Sequence, residues 1–305
     1  MYFTLTRNLS KLPVVIIWIF NVLAILSMNT LTWADQIRPD RIDRDSRKYQ
    51  PESLIQVFQR VERTYATGER PVVMFDLDET LINSRVRTLR ILKDIALNQQ
   101  VAEAYPFESN VISRMGLSDV RSYPLYLGEI LRSIGIEDAS FIKSIEGEYL
   151  NQYLSNNYCA SDWTISGAAE YVRAVQEAGA WIVYLTGRNR PGMEKCTMES
   201  LRRNRFPLGT DERSLLFMKP TREIDDTEYK KTVLSEIGAI GVVVGGFENE
   251  PANINAFKAA FPESTMVFVD TIHSNRPDSP RTDIPWVKDF RVWKHNVNSF
   301  IEGGE

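Results

Sequence analysis

The chain has 305 residues, of which 43% are hydrophobic and 25% charged. That composition excludes a disordered chain, a collagen-like repeat and a polytopic membrane protein. Two cysteines exclude a disulfide-dense scaffold and a multi-cysteine zinc domain, and a net charge of −4 provides no basic face for nucleic acid.

The first 34 residues hold no Asp or Glu, and only Arg7 and Lys11 are basic. Leu12 to Met28 is apolar apart from Asn21 and Ser27, and Thr32-Trp33-Ala34 places small residues at −3 and −1 of a cleavage site. A basic start, an apolar stretch and small residues at a cleavage site describe a secretory signal peptide. The apolar stretch is long, so a signal anchor over residues 12–28 is the rival reading. Export to a periplasm or the exterior follows in the first case, membrane attachment in the second. Without residues 1–34 the 36 basic residues lose Arg7 and Lys11, leaving 34 against 40 acidic ones and a net charge of −6. Asp35 to Tyr49 is charged and poor in apolar residues, as a solvated linker is.

Apolar positions at Leu54, Val57, Phe58, Val61 and Tyr65 have helical spacing, with Pro51 near the start and Gly68 past the end. Pro71 to Phe75 is a continuous apolar run of the kind found in buried parallel strands. Between Ser84 and Asn157 no such run occurs. Val86, Leu89 and Leu92, then Tyr126, Ile130, Leu131 and Ile134, keep helical spacing. A helix over about Gly167 to Ala178 precedes a strand at Ala180–Leu185. Further strand-length runs follow at Ser214–Met218, Ala239–Val244 and Thr265–Val269. Strands alternating with helices imply a parallel sheet with right-handed crossovers.

In an open α/β sheet the reactive groups lie outside the carboxyl ends of the strands. Asp76-Leu77-Asp78-Glu79-Thr80 follows the first strand, and Thr186-Gly187-Arg188 the second. Lys219-Pro220 and then Tyr229-Lys230-Lys231 follow the third, and Gly245 to Pro251 the fourth. Two residues of strand spacing put Asp76 and Asp78 on one face. One carboxylate can attack phosphorus while the other handles the proton of the leaving oxygen. Paired carboxylates beside a phosphate call for a hard cation such as Mg²⁺. Thr186 offers a hydroxyl and a neighbouring N–H to a phosphate oxygen. A lysine supplies fixed positive charge; Lys230, Lys231 and Lys219 are the candidates. Glu248 and Asn249 supply oxygen for the cation.

DLDET, LTGR, a lysine near a helix start and an acidic turn, each at a strand end and in this order, resemble the haloacid dehalogenase (HAD) superfamily. The DxDxT form resembles its phosphatases rather than its dehalogenases. The resemblance covers Pro71 to about Asp270 apart from the insert. It implies an α/β fold, a Rossmann-like parallel sheet with an inserted helical cap. By that resemblance residues 71–84 and 159–305 form the catalytic core, 85–158 the cap and 35–70 a linker and lead helix. It also implies Asp76 as nucleophile and Asp78 as general acid/base, with the Asp78 backbone carbonyl on Mg²⁺ beside the Asp76 carboxylate. Thr186 would bind the phosphoryl group and the motif lysine would stabilise it. Thr80, Gly187 and Arg188 are further candidates for substrate contact, with Arg188 also suited to a structural ion pair. The family's fourth motif presents aspartates. GFENEPANI resembles its variant with two acidic residues followed by Pro251 and Asn253, and here Glu248 and Asn249 stand at the ligand positions.

The expected activity is Mg²⁺-dependent hydrolysis of a small-molecule phosphate monoester through an aspartyl-phosphate, similar to that of the superfamily's secreted acid phosphatases. Alternatives are a phosphotransferase or phosphomutase of the same chemistry, or a catalytically weak surface binding protein. No nucleic acid or stable protein partner is expected. Arg85, Arg87, Arg90 and Lys93 read as a solvated helix face. His273 could reach the site or be structural. Cys159 and Cys196, 37 positions apart, could pair in an oxidising compartment.

Overall fold

The computed structural model describes residues 49–209, 211 and 213–291. The signal or anchor segment and most of the linker therefore lie outside the described residues. Among the described residues no helix is long and apolar enough to cross a membrane.

Helix α1 (Glu52–Ala66) starts after Pro51 and buries Leu54, Val57 and Val61. It leads into β1 (Pro71–Phe75), buried along its whole length. The sheet continues with β4 (Trp181–Asn189), β5 (Ser214–Lys219), β6 (Val242–Glu248), β7 (Thr265–Val269) and the short β8 (Trp286–Val287). Its strand order is β5-β4-β1-β6-β7-β8. Every neighbouring pair is parallel. This is the α/β, Rossmann-like architecture expected.

The sheet has a packed layer on each face, so its strands are apolar without alternation. Val73 and Phe75 face α1 and α7 (Ala168–Glu177), in a cluster with Leu54, Tyr171 and Val175. Val72 and Met74 face α9 (Asp226–Ile240) and α10 (Pro251–Ala260), in a cluster with Leu234, Ile254 and Phe257.

Between Arg85 and Tyr153 all regular structure is helical: α2 (Arg85–Leu97), α3 (Gln99–Ala104), α4 (Pro106–Ser113), a 3-10 turn at Leu117–Asp119, α5 (Leu127–Ser133) and α6 (Ala139–Tyr153). This insert has its own buried apolar cluster, including Ile91, Leu92, Ile130, Phe141 and Tyr149. The chain enters it through β2 (Ile82–Asn83) and leaves through β3 (Trp163–Thr164), which pair antiparallel. The insert also touches the core at Glu129, which accepts from Asn275 Nδ2 at 3.0 Å, and at Asn151, which accepts from Arg222 Nη1 at 3.4 Å.

Three expectations need correction. The fourth main strand runs over Val242–Glu248 rather than from Ala239, because α9 continues to Ile240. Its Gly245 reads as turn in the sequence but lies within the strand, where a Cβ would stand 2.7 Å from Val57 of α1. Likewise β4 extends to Asn189, so Thr186, Gly187 and Arg188 belong to the strand. Finally, Arg87 is not on a solvated face; it is fully buried.

Cys159 and Cys196 form a disulfide, with their Cα atoms 5.5 Å apart. It ties the segment leaving the insert to α8 (Arg190–Arg203).

Candidate active site

β1 and its neighbours bring the strand-end residues together. Phe75 pairs in register with Tyr184 on one side and Phe247 on the other. Asp76 therefore leaves β1 level with Glu248 of β6, and its N–H still donates to the Phe247 carbonyl at 3.0 Å. From there the chain turns tightly. The N–H groups of Thr80, Leu81 and Ile82 all donate to the Leu77 carbonyl, and Glu79 takes a left-handed φ of 61°. Glu79 is buried, and its Oε1 accepts from the Ser84 N–H at 2.8 Å and hydroxyl at 2.9 Å. Burial pushes its carboxyl up to about 7 despite Arg85 nearby.

Of the three candidate lysines, Lys230 is the one that lies against Asp76. The Asp225 carboxylate caps α9 by accepting from the Thr227 and Glu228 N–H groups. One turn further on, Lys230 Nζ lies 2.6 Å from Asp76 Oδ1 and 2.6 Å from Glu248 Oε2. Lys231, the next residue, is exposed and pairs with Glu228 on its own helix. Lys219 holds the loop before α9, donating to the Ile224 carbonyl at 2.7 Å and Asp226 Oδ1 at 2.5 Å.

Asp76, Lys230 and Glu248 are all buried, so the pair of carboxylates shares a single ammonium. Burial, reinforced by the Glu248 charge, pushes Asp76 up to about 7 against the pull of Lys230. Burial likewise raises Glu248, and it would lower Lys230 were the two carboxylates not holding it well above its ordinary value. This donor set fits a hard divalent cation. Two oxygen ligands with excess negative charge suit Mg²⁺, which uses one or two carboxylates and keeps water for its other positions. Asp76 and Glu248 would hold it. Among the described residues no group of three or more acidic, imidazole or thiol side chains gathers around one point.

The remaining expected residues have other partners. The Asn249 amide is occupied: Oδ1 accepts from the Thr80 hydroxyl at 3.1 Å, and Nδ2 donates to the Ile272 carbonyl at 2.7 Å. Both Asn249 and Thr80 are buried and brace the first loop against the turn after β6. Glu248 Oε1 accepts from the N–H groups of Asn249 and Glu250, which fixes that turn. Gly187 is a close-approach position, since a Cβ there would stand 2.2 Å from Asp226 Oδ2. Thr186 is buried at the end of β4, its hydroxyl oxygen accepting from the Arg188 N–H at 3.2 Å. His273 packs against Phe268 and bonds the Ser274 carbonyl.

Asp78 departs most from the expected picture. Its carboxylate is gripped by two arginines. Arg188 reaches it twice, Nε to Oδ2 and Nη2 to Oδ1, both at 2.8 Å. Arg87 Nη2 reaches Oδ1 at 2.8 Å. Burial alone would raise Asp78; the Arg188 and Arg87 guanidiniums outweigh it and hold the carboxyl well below the usual range. Arg188 thus serves as an ion-pair former, the other role open to it in the sequence.

Sequence reasoning missed Arg87, Asp162 and the insert's tyrosines. Asp162 is fully buried between Arg87 and Arg188. Tyr153 of α6 donates to the Ser84 hydroxyl at 3.1 Å. Tyr123, on the loop before α5, is raised well above its ordinary value by burial and by the charges of Glu250 and Asp226. These contacts join residues 26 to 127 positions apart, which no local pattern records.

No known family model and no curated protein matches the chain. Solved structures do. A HAD-superfamily hydrolase from Ehrlichia chaffeensis is 16% identical with a TM-score of 0.40, and the match covers 76% of this chain and 98% of that one. Protein Tyrosine Kinase A of Mycobacterium tuberculosis is 16% identical with a TM-score of 0.47, over 74% of this chain and 97% of that one. A dehalogenase is 13% identical with a TM-score of 0.40, over 74% and 96%. At this level of identity the likeness concerns shape and carries no activity across.

Proposed function

We propose that the protein hydrolyses phosphate monoesters with Asp76 as nucleophile, supported by Mg²⁺. The observation that carries this reading is the buried Asp76–Lys230–Glu248 arrangement at the carboxyl edge of β1 and β6. A structural turn has no need of two buried carboxylates that share one ammonium, one of them raised to about 7.

In this reading an Asp76 oxygen attacks phosphorus as the ester P–O bond breaks, leaving a phosphoryl group on Asp76 and an alkoxide or phenoxide that takes its proton from solvent water. Water then attacks that phosphorus, the bond to Asp76 breaks, and inorganic phosphate leaves. Bound Mg²⁺ would supply positive charge against the phosphoryl oxygens. Lys230 keeps Asp76 in place and adds charge beside it. Thr186, next to β1, offers its hydroxyl proton to a phosphoryl oxygen. Asp78 is held ionised, and so is suited to accept a proton from the attacking water. The helical insert acts as a lid that excludes bulk water, with Tyr123 facing the acidic groups of the core.

The substrate class is a small phosphate ester. The disulfide supports export, because such bonds persist in oxidising compartments.

Turnover of para-nitrophenyl phosphate with and without Mg²⁺, in wild type and Asp76→Asn, tests the reading. Mg²⁺-dependent release of phosphate that vanishes in the variant is expected. No turnover across a broad ester panel would refute it. Adding glycerol as acceptor separates hydrolysis from transfer to an alcohol.

A further inference from the structure

Arg87 lies outside every strand-end motif, yet it makes the contacts of a site residue. It is the third residue of α2, immediately inside the insert. Its Nη2 donates to Asp78 Oδ1 at 2.8 Å and to Asp162 Oδ2 at 2.6 Å. Its Nη1 donates to the Tyr153 carbonyl at 3.2 Å, and the guanidinium lies 4.4 Å from the centre of the Tyr153 ring.

The placement of these partners matters. Arg87 follows β2, the strand entering the insert, and Asp162 immediately precedes β3, the strand leaving it. Tyr153 ends α6, on the insert side. Arg188 stands on β4 of the core and reaches both Asp78 and Asp162. Asp78 is therefore gripped from the core by Arg188 and from the insert by Arg87, while Asp162 locks the two guanidiniums together. An ion pair that served only to fasten the linker would be complete with Arg87 and Asp162. The additional bond to Asp78, whose side chain is 30% exposed, joins the linker to the catalytic loop.

We propose that Arg87 is a positioning residue that makes the aim of the Asp78 carboxylate depend on the seating of the helical insert. If α2 turns about the β2–β3 ribbon, Arg87 moves with it and Asp78 loses one of its two clamps. When the insert is seated, both clamps hold and Asp78 points in one direction. This inference rests on the proposed function, in which Asp78 takes a proton from the attacking water.

The test uses the full chain with Arg87→Lys, Arg87→Met and Asp162→Asn. The release of para-nitrophenol, which reports attack by Asp76, and the release of phosphate, which reports attack by water, are followed separately on para-nitrophenyl phosphate. Arg87→Met should slow the release of phosphate at least about tenfold while its first burst of para-nitrophenol stays within about threefold of wild type. Arg87→Lys should fall between it and wild type. Equal slowing of both steps, or of neither, would overturn the proposal. Hydrogen exchange gives a readout free of activity. In Arg87→Lys the amides of Thr80, Leu81 and Ile82 should exchange faster together with that of Ile165; unchanged protection there would also overturn it. If Arg87→Met does not fold, Arg87→Lys and Asp162→Asn carry both measurements. A wild type inactive on the ester refutes the proposed function instead, and the exchange result still decides the coupling.

Discussion

Asp76→Asn should inactivate the protein and, with metal removed, make it more stable. In the fold Asp76 is buried beside Glu248, and its carboxyl is pushed from 3.8 to about 7. Between those pH values the folded chain binds a proton that the unfolded chain does not, so stability falls as pH rises through the window. At pH 8 the charged Asp76 costs about 4 kcal/mol relative to an uncharged equivalent, and at pH 5 about 2 kcal/mol. Asparagine cannot ionise and avoids that cost. Urea denaturation in EDTA should therefore show the variant ahead by about 4 kcal/mol at pH 8, with the gap roughly halved at pH 5. Mg²⁺ should then raise the wild type by about 2.7 kcal/mol at a hundred times its dissociation constant and leave the variant nearly unchanged. A variant less stable than wild type at pH 8, or a gap independent of pH, would refute the reasoning.

Other substitutions test neighbouring parts of the account. Lys230→Met leaves two buried carboxylates without their ammonium and should lower kcat by about 10²–10³, whereas exposed Lys231→Ala should stay within about twofold of wild type. Steady-state rates on one aryl phosphate compare them, and equal losses would contradict the assignment. Glu248→Ala should raise the Mg²⁺ concentration needed for half-maximal rate; an unchanged Mg²⁺ dependence would remove Glu248 from the metal site. Cys159→Ser with Cys196→Ser opens a loop spanning 37 positions, and chain entropy puts the loss at about 4 kcal/mol. Denaturation with and without reductant measures it, and equal stability of wild type and double variant would show that the bond adds nothing.

Much of the sheet can be read in the sequence because its strands are buried on both faces and therefore appear as unbroken apolar runs. Pro71–Phe75 and Thr265–Val269 coincide with β1 and β7. The runs mislead where glycine replaces an apolar side chain: Gly245 and Gly246 look like a turn but make room inside β6 for Val57 and Met266. The order of strand-end motifs placed Asp76 and Glu248 near each other, since parallel strands align their carboxyl ends. Asp78 shows the limit. Spacing put it on the face of Asp76, but the chain leaves the strand after Phe75 and turns Asp78 toward Arg87 and Arg188. Arg87 looked solvated because its deciding partner, Asp162, is 75 positions away. Hydrophobic periodicity marks which positions face a core; it contains nothing about a buried charge satisfied by a distant one.

Acid-quenched protein, caught during turnover of an aryl phosphate with Mg²⁺, tests the central claim most directly. Mass spectrometry of the peptide carrying Asp76 should show one added phosphoryl group on that residue, formed as fast as the alcohol is first released and absent in Asp76→Asn. Continued turnover with Asp76 never phosphorylated, or an active Asp76→Asn protein, would contradict it.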